Sequence, residues 1–140
     1  MLFERILVAL DGSAGAQKAL ETAVALAKLT GAHLSALAVE GRLPAYAATV
    51  GEVDEVKREK DIFFEALAFN AKTYAKSEGI DLEVDIQAGH AAELIVETAT
   101  KQHVDLIVVG HKGHFLQDYL LGSTADRVAH HARCPVMIAK

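Results

Sequence analysis

Apolar and polar positions fall in blocks along this chain, and the period of each block points to its element. Ile6–Leu10 is an unbroken apolar run ending at Asp11-Gly12-Ser13, the pattern of a strand buried on both faces of a parallel sheet. Ala16, Ala19, Leu20, Ala23 and Ala27 then recur at helical spacing, with Ser13 placed as cap and Gly31 as stop. Leu34–Val39 reads as the second strand. Residues Glu40 to about Gly51, with Pro44, form a connection too long for a tight turn, with the length of a lid. From about Val53 to Ser77, Phe63, Leu67, Ala71 and Tyr74 mark one face of an amphipathic helix closed by Gly79. Asp81–Gln87 alternates strictly, Leu82, Val84 and Ile86 against Asp81, Glu83 and Asp85. That is a half-exposed edge strand whose outward carboxylates discourage further pairing. A helix over Ala91–Gln102 turns Leu94, Ile95, Thr98 and Ala99 inward, and Leu106–Val109 is a fourth strand. A helix over Ser123–Ala132 aligns Ala125, Val128, Ala129 and Ala132, and Pro135–Ala139 is the last strand.

Strands and helices alternate throughout, which requires crossover connections, a mostly parallel sheet and helices on both of its faces. Asp11 and the loop after Val109 then lie together at the carboxyl ends of strands, where ligands bind in open α/β sheets. The loop carries the densest candidate chemistry: Gly110-His111-Lys112-Gly113, then Gly122-Ser123 at a helix start. Glycines let a backbone approach a ligand closely. Successive N–H groups form anion-binding nests, and a helix start adds unpaired donors with partial positive charge. Ser123 is placed to serve as N-cap, as a phosphate donor, or as both in turn. A plain strand exit with a turn and a capped helix is the competing reading.

Composition narrows the partners. The 140 residues suit one domain, and a net charge of −5 without a lysine or arginine cluster disfavours nucleic acid. The single cysteine, Cys134, rules out an intrachain disulfide and fits a reducing compartment. Phe3-Glu4-Arg5 runs into the first strand without a secretory apolar region, and no apolar stretch approaches the ~18 residues of a membrane span. The expectation is a cytoplasmic protein with no membrane partner.

Asp11-Gly12-Ser13 after a strand, Gly89 ahead of a helix, Asp105–Gly110, Gly113, Gly122-Ser123 and Cys134-Pro135-Val136 fall in one order over roughly residues 3–140. In this combination the chain resembles a universal stress protein of the UspA type. The resemblance implies one α/β/α domain over residues 1–140, with a five-stranded parallel sheet of order 3-2-1-4-5. It implies a stress-response regulator that binds ATP or AMP, with or without Mg, and hydrolyses it slowly if at all. Asp11 would meet the adenosine, with Ala9 beside it and the Val39 backbone against the adenine edge. Gly110, Gly113, Gly122, Ser123 and Thr124 would line the phosphates. Asp11 has a second reading as a cap of the following helix. The family's ATP-binding branch carries G-x2-G-x9-G-[ST], whereas His114–Leu121 supplies eight intervening residues. One residue moves a helical segment by ~100°, so the outermost phosphate contacts are the ones this shortening touches. A nucleotide-free protein acting through protein contacts is the alternative. Members often dimerise through the last strand, and Pro135–Ala139 carries no charge before Lys140 to discourage pairing.

Other constellations carry less. His111 and His114 flank the loop without Cys or carboxylate partners at metal-ligand spacing, so the seven histidines read as surface or capping residues and no metal site is expected. Cys134 reads as a small packed side chain, with no activating neighbour in sequence. No GK[ST] loop, G-x-S-x-G elbow, G-x-G-x-x-G fingerprint or acidic pair after the first strand is present. Those absences weigh against a fast nucleotide hydrolase, a serine hydrolase, a dehydrogenase and a receiver domain.

Overall fold

The computed structural model describes residues 3–40, 50–111 and 121–140, with 50–53 in backbone only. Five strands alternate with four helices in chain order: β1 Arg5–Leu10, α1 Ala14–Thr30, β2 His33–Glu40, α2 Val50–Ser77, β3 Glu83–Ala88, α3 Ala91–Lys101, β4 Leu106–Gly110, α4 Ser123–His131 and β5 Val136–Ala139. The sheet is parallel throughout, in the order β3-β2-β1-β4-β5. The expected fold class and strand order hold.

Side chains on the central strands alternate between two cores. Ile6, Val8, Leu34, Ala36, Leu106 and Val108 face α1 and α2. Leu7, Leu37, Ile107 and Val109 face α3 and α4. Leu20 and Val24 of α1 are 1% exposed, and burying side chains of this size contributes about 1.5–3 kcal/mol each. The limits of α1 are set locally. The Ser13 hydroxyl accepts from the Ala16 N–H at 3.1 Å, and Gly31 closes the helix in the left-handed region at φ +74°.

The edge reading of β3 holds as well, since Leu82 is buried while Asp81, Glu83 and Asp85 are exposed. Two inward assignments are corrected. In α2 the buried aromatic is Phe64, which shares a face with Ala71 and Ala75, while Phe63 is 49% exposed. Adjacent aromatics fit the same period, and the pitch of α2 over β2 and β3 selects the second. In α4 only Ala125 and Val128 are buried and Ala129 is exposed, because nine residues lay a single short stripe on the sheet. The start of α4 is corrected too. Gly122 is its N-cap, in extended conformation, and Ser123 is the first helical residue. Of the connection read over Glu40 to about Gly51, Glu40 ends β2 and Val50 and Gly51 belong to α2; residues 41–49, with Gly113 and His114 in the later loop, lie outside the described residues.

Among the described residues no helix is long and apolar enough to cross a membrane.

Candidate functional site

The chain leaves β1 toward one face of the sheet and β4 toward the other. Two neighbouring strands whose exits diverge leave a crevice at their carboxyl ends, and here it is a cavity of about 160 Å³. Its floor and one wall are apolar: Leu37, Val39, Ile95 and Val109, with Ala9 beside them. Its polar groups are Asp11 and Ser13 on the β1–α1 turn and Thr124 in the first turn of α4. Ala91 and Ala125 bring the first turns of α3 and α4 to the same space.

Asp11 is half-buried. Its Oδ1 accepts from the Ser13 N–H at 2.9 Å, so the carboxylate shapes the turn and the Ser13 hydroxyl caps the helix. Of the two readings of Asp11, helix cap and ligand acceptor, the cap belongs to Ser13. The helices on the opposite face differ from α1. His90 and Gly122, the N-caps of α3 and α4, make no side-chain capping bond. Both helices place an acidic residue in the first turn, Glu93 in α3 and Asp126 in α4, while their first backbone N–H groups have no side-chain cap.

Gly110 combines two duties. A Cβ built on it would lie 2.4 Å from the carbonyl carbon and oxygen of Gly15 and 2.9 Å from the Ala16 nitrogen. A Cβ on Gly15 would lie 3.0 Å from the His111 carbonyl oxygen. The last residue of β4 therefore packs backbone to backbone on the first turn of α1, and Gly110 also lines the cavity.

Of the residues that the sequence marks, the structure brings Ala9, Asp11, Val39, Gly110 and Thr124 to one cavity. Gly122 and Ser123 stand next to Thr124 at the α4 start, with Ser123 exposed, outside the wall that the described residues form. Gly113 is outside the described residues. Sequence reasoning missed Leu37, Ile95, Val109, Ala91 and Gly15. Leu37 and Val109 belong to buried strand runs and Ile95 to the inward face of α3, and nothing local separates a core residue from one that ends at a cavity. Gly15 carries no pattern of its own; only the strand packed against it shows why it is glycine.

No group of three or more His, Cys, Asp or Glu side chains suited to a metal occurs among the described residues. His33, His90, His103, His130 and His131 are exposed, and His111 is half-buried with its backbone N–H donating to the Ala139 carbonyl at 2.9 Å. Burial, and then the Asp105 carboxylate, push the Cys134 thiol above its ordinary pKa. The side chain is thus held as a protonated thiol at neutral pH, in keeping with a packed residue.

A family model described as the universal stress protein family matches residues 2–140. Universal stress protein YxiE of Bacillus subtilis is 33% identical over 148 aligned residues that span 99% of this chain and 100% of that protein. The structure of universal stress protein UspA from Lactobacillus plantarum superposes with a TM-score of 0.84 at 26% identity, covering 100% of this chain and 99% of its own. A universal stress protein family structure from Arabidopsis thaliana with AMP bound shares the fold, with a TM-score of 0.71 at 19% identity over 98% of this chain and 91% of its own. The family-model match over residues 2–140 and the relative that is 33% identical over its full length agree: the chain belongs to the universal stress protein family.

Proposed function

We propose that this protein binds an adenine nucleotide, AMP or ATP, in the cavity at the carboxyl end of β1 and β4, and acts as a stress-response regulator. The carrying observation is the division of the cavity wall. Leu37, Val39, Ile95 and Val109 offer an apolar lining of the kind a purine base needs, and Asp11 offers an acceptor for ribose hydroxyls. The α4 start beside Thr124 lacks a side-chain cap and suits a phosphate. Gly110, Gly113, Gly122 and Ser123 belong to the same phosphate-facing segment in this reading, and a triphosphate would bring its Mg²⁺ with it. The AMP held by the Arabidopsis relative supports the choice of base.

Hydrolysis is at most slow. Asp11 is the only carboxylate lining the described cavity, and it is engaged in its own turn; among the described residues no histidine lines the cavity to activate water. Residues 1–140 work as one cytoplasmic domain and pair as a homodimer. The β5 strand is a sheet edge with half-buried Val136, Met137 and Ile138, which suits antiparallel pairing about a two-fold axis.

Calorimetric titration with AMP and ATP tests the reading, with saturable binding of at least one expected. No heat of binding from either at millimolar concentration would assign the protein to the nucleotide-free members that act through protein contacts. Sedimentation at micromolar concentration tests the dimer. Because Pro135 and Ala139 turn their carbonyls to β4, the Ile138 N–H faces the open edge, and Ile138→Pro, which removes that donor, is expected to shift the protein toward monomer.

A further inference from the structure

The β1–α1 turn has a second side. Behind it, between α1 and α2, lies a larger space of about 550 Å³ reached by Gly12, Ser13, Phe63, Leu67 and Asn70. Leu10, Ser13 and Ala16 line both spaces. The turn that carries Asp11 and Ser13 is therefore a partition between two spaces.

One side chain bridges the gap. Gly12 adopts φ +85°, and the nearest heavy atoms to a Cβ built there all belong to the Phe63 ring, with Cζ at 2.6 Å. The ring tip thus rests on the Gly12 Cα, where any other residue would force it away. Phe63 is itself held, since its ring meets Phe64 edge to face at 5.0 Å and 84°, and Phe64 is 8% exposed in the α1–α2 core. A chain of contacts runs from the buried face of α2 through Phe64 and Phe63 to the middle residue of the turn.

We propose that Phe63 is a positioning residue for the nucleotide site: pressing on Gly12 from the α2 side, it holds the Asp11–Ser13 turn in its binding geometry, so that the seating of α2 sets nucleotide affinity. This rests on the adenine-nucleotide reading of the cavity. Phe63 does not line that cavity; its effect runs through preorganisation. Without the ring, the turn samples other conformations in the free protein, and binding must bear the cost of ordering it.

The test compares three variants in the full chain: Phe63→Ala, Phe63→Leu, and Phe69→Ala as a control. Phe69 lies on the same helix, is 69% exposed and is not among the side chains lining either space. AMP titration of Phe63→Ala is expected to show Kd raised about 5- to 10-fold, the equivalent of about 1–1.4 kcal/mol. Phe63→Leu is expected to recover at least half of that loss, and Phe69→Ala to stay within about twofold of wild type. A readout independent of nucleotide accompanies it. Exchange of the Ser13 amide hydrogen, bonded to Asp11 Oδ1, is expected to accelerate in Phe63→Ala and not in Phe69→Ala. Wild-type affinity in folded Phe63→Ala, equal weakening in Phe69→Ala, or unchanged Ser13 exchange would each overturn the inference. If Phe63→Ala does not fold, Phe63→Leu carries the test, with a smaller rise in Kd and the same exchange readout. A wild type that binds no AMP overturns the nucleotide reading instead, and Ser13 exchange still decides whether Phe63 holds the turn.

Discussion

The two ends of the β1–β4 strand pair each carry one aspartate, and the two aspartates do different things. At the amino end both Asp105 oxygens accept from β1-side backbone, Oδ2 from the Glu4 N–H at 2.8 Å and Oδ1 from the Arg5 N–H at 3.1 Å. The Asp105 N–H returns a bond to the Arg5 carbonyl at 2.9 Å, and the Arg5 guanidinium donates to the Gln102 carbonyl at 3.0 Å. Carboxylate and backbone together lace that end shut. At the carboxyl end Asp11 bonds within its own turn, and the strands touch α1 through Gly110 and Gly15 on one side only. On the other side the space stays open. The same residue type between the same strands thus closes one end and borders a cavity at the other. The direction in which the chain leaves each strand makes that difference.

The largest expected effect breaks the carboxyl end outright. Gly110→Ala places a methyl group against the Gly15 backbone, where neither neighbour is a side chain that can swing away. Its cost is expected at about 3 kcal/mol of stability, read from urea unfolding. An unchanged midpoint would show that the α1 start yields easily. Next, Asp105→Ala strips the amino end of both accepted bonds and is expected to cost about 2 kcal/mol, with AMP affinity retained if the two ends act independently. Asp11→Asn is the sharper partner to it. The amide keeps an acceptor for the Ser13 N–H but loses the charge, so AMP affinity is expected to fall about tenfold with little change in melting temperature. Loss of stability without loss of affinity would make Asp11 a turn residue alone. The smallest effect concerns the loop after β4. One residue inserted after His114 restores the family spacing and is expected to raise ATP affinity over AMP by less than about tenfold. Equal ATP-to-AMP ratios in the two proteins would mean that the turn absorbs the shorter length.

Features governed by neighbours in sequence were legible before the fold was known. Ser13 and Gly31 bound α1 because capping is settled within four residues, and the alternation from Leu82 to Ile86 marks β3 as an edge because its two faces meet different surroundings. What depends on distant packing was not legible. Phe63 and Phe64 satisfy the same helical period, and only the placement of α2 on the sheet buries one and leaves the other against Gly12. Gly110 looked like a phosphate-loop glycine, yet the backbone of Gly15 already demands it. Asp11 was placed by the strand it ends, whereas Val39 and Thr124 came from the family resemblance. Ile95 and Val109 join them only because five separated segments converge at one end of the sheet.

The central claim is that a nucleotide binds at the carboxyl end of this sheet and not at the amino end. Backbone amide shifts of labelled protein titrated with AMP test it most directly. The account predicts saturable shifts at residues 11–16, Val39, Gly110, Thr124 and Ala125, with Glu4, Arg5 and Asp105 unmoved. Saturable shifts centred on the amino end, or no saturable shift anywhere at millimolar AMP, would contradict it.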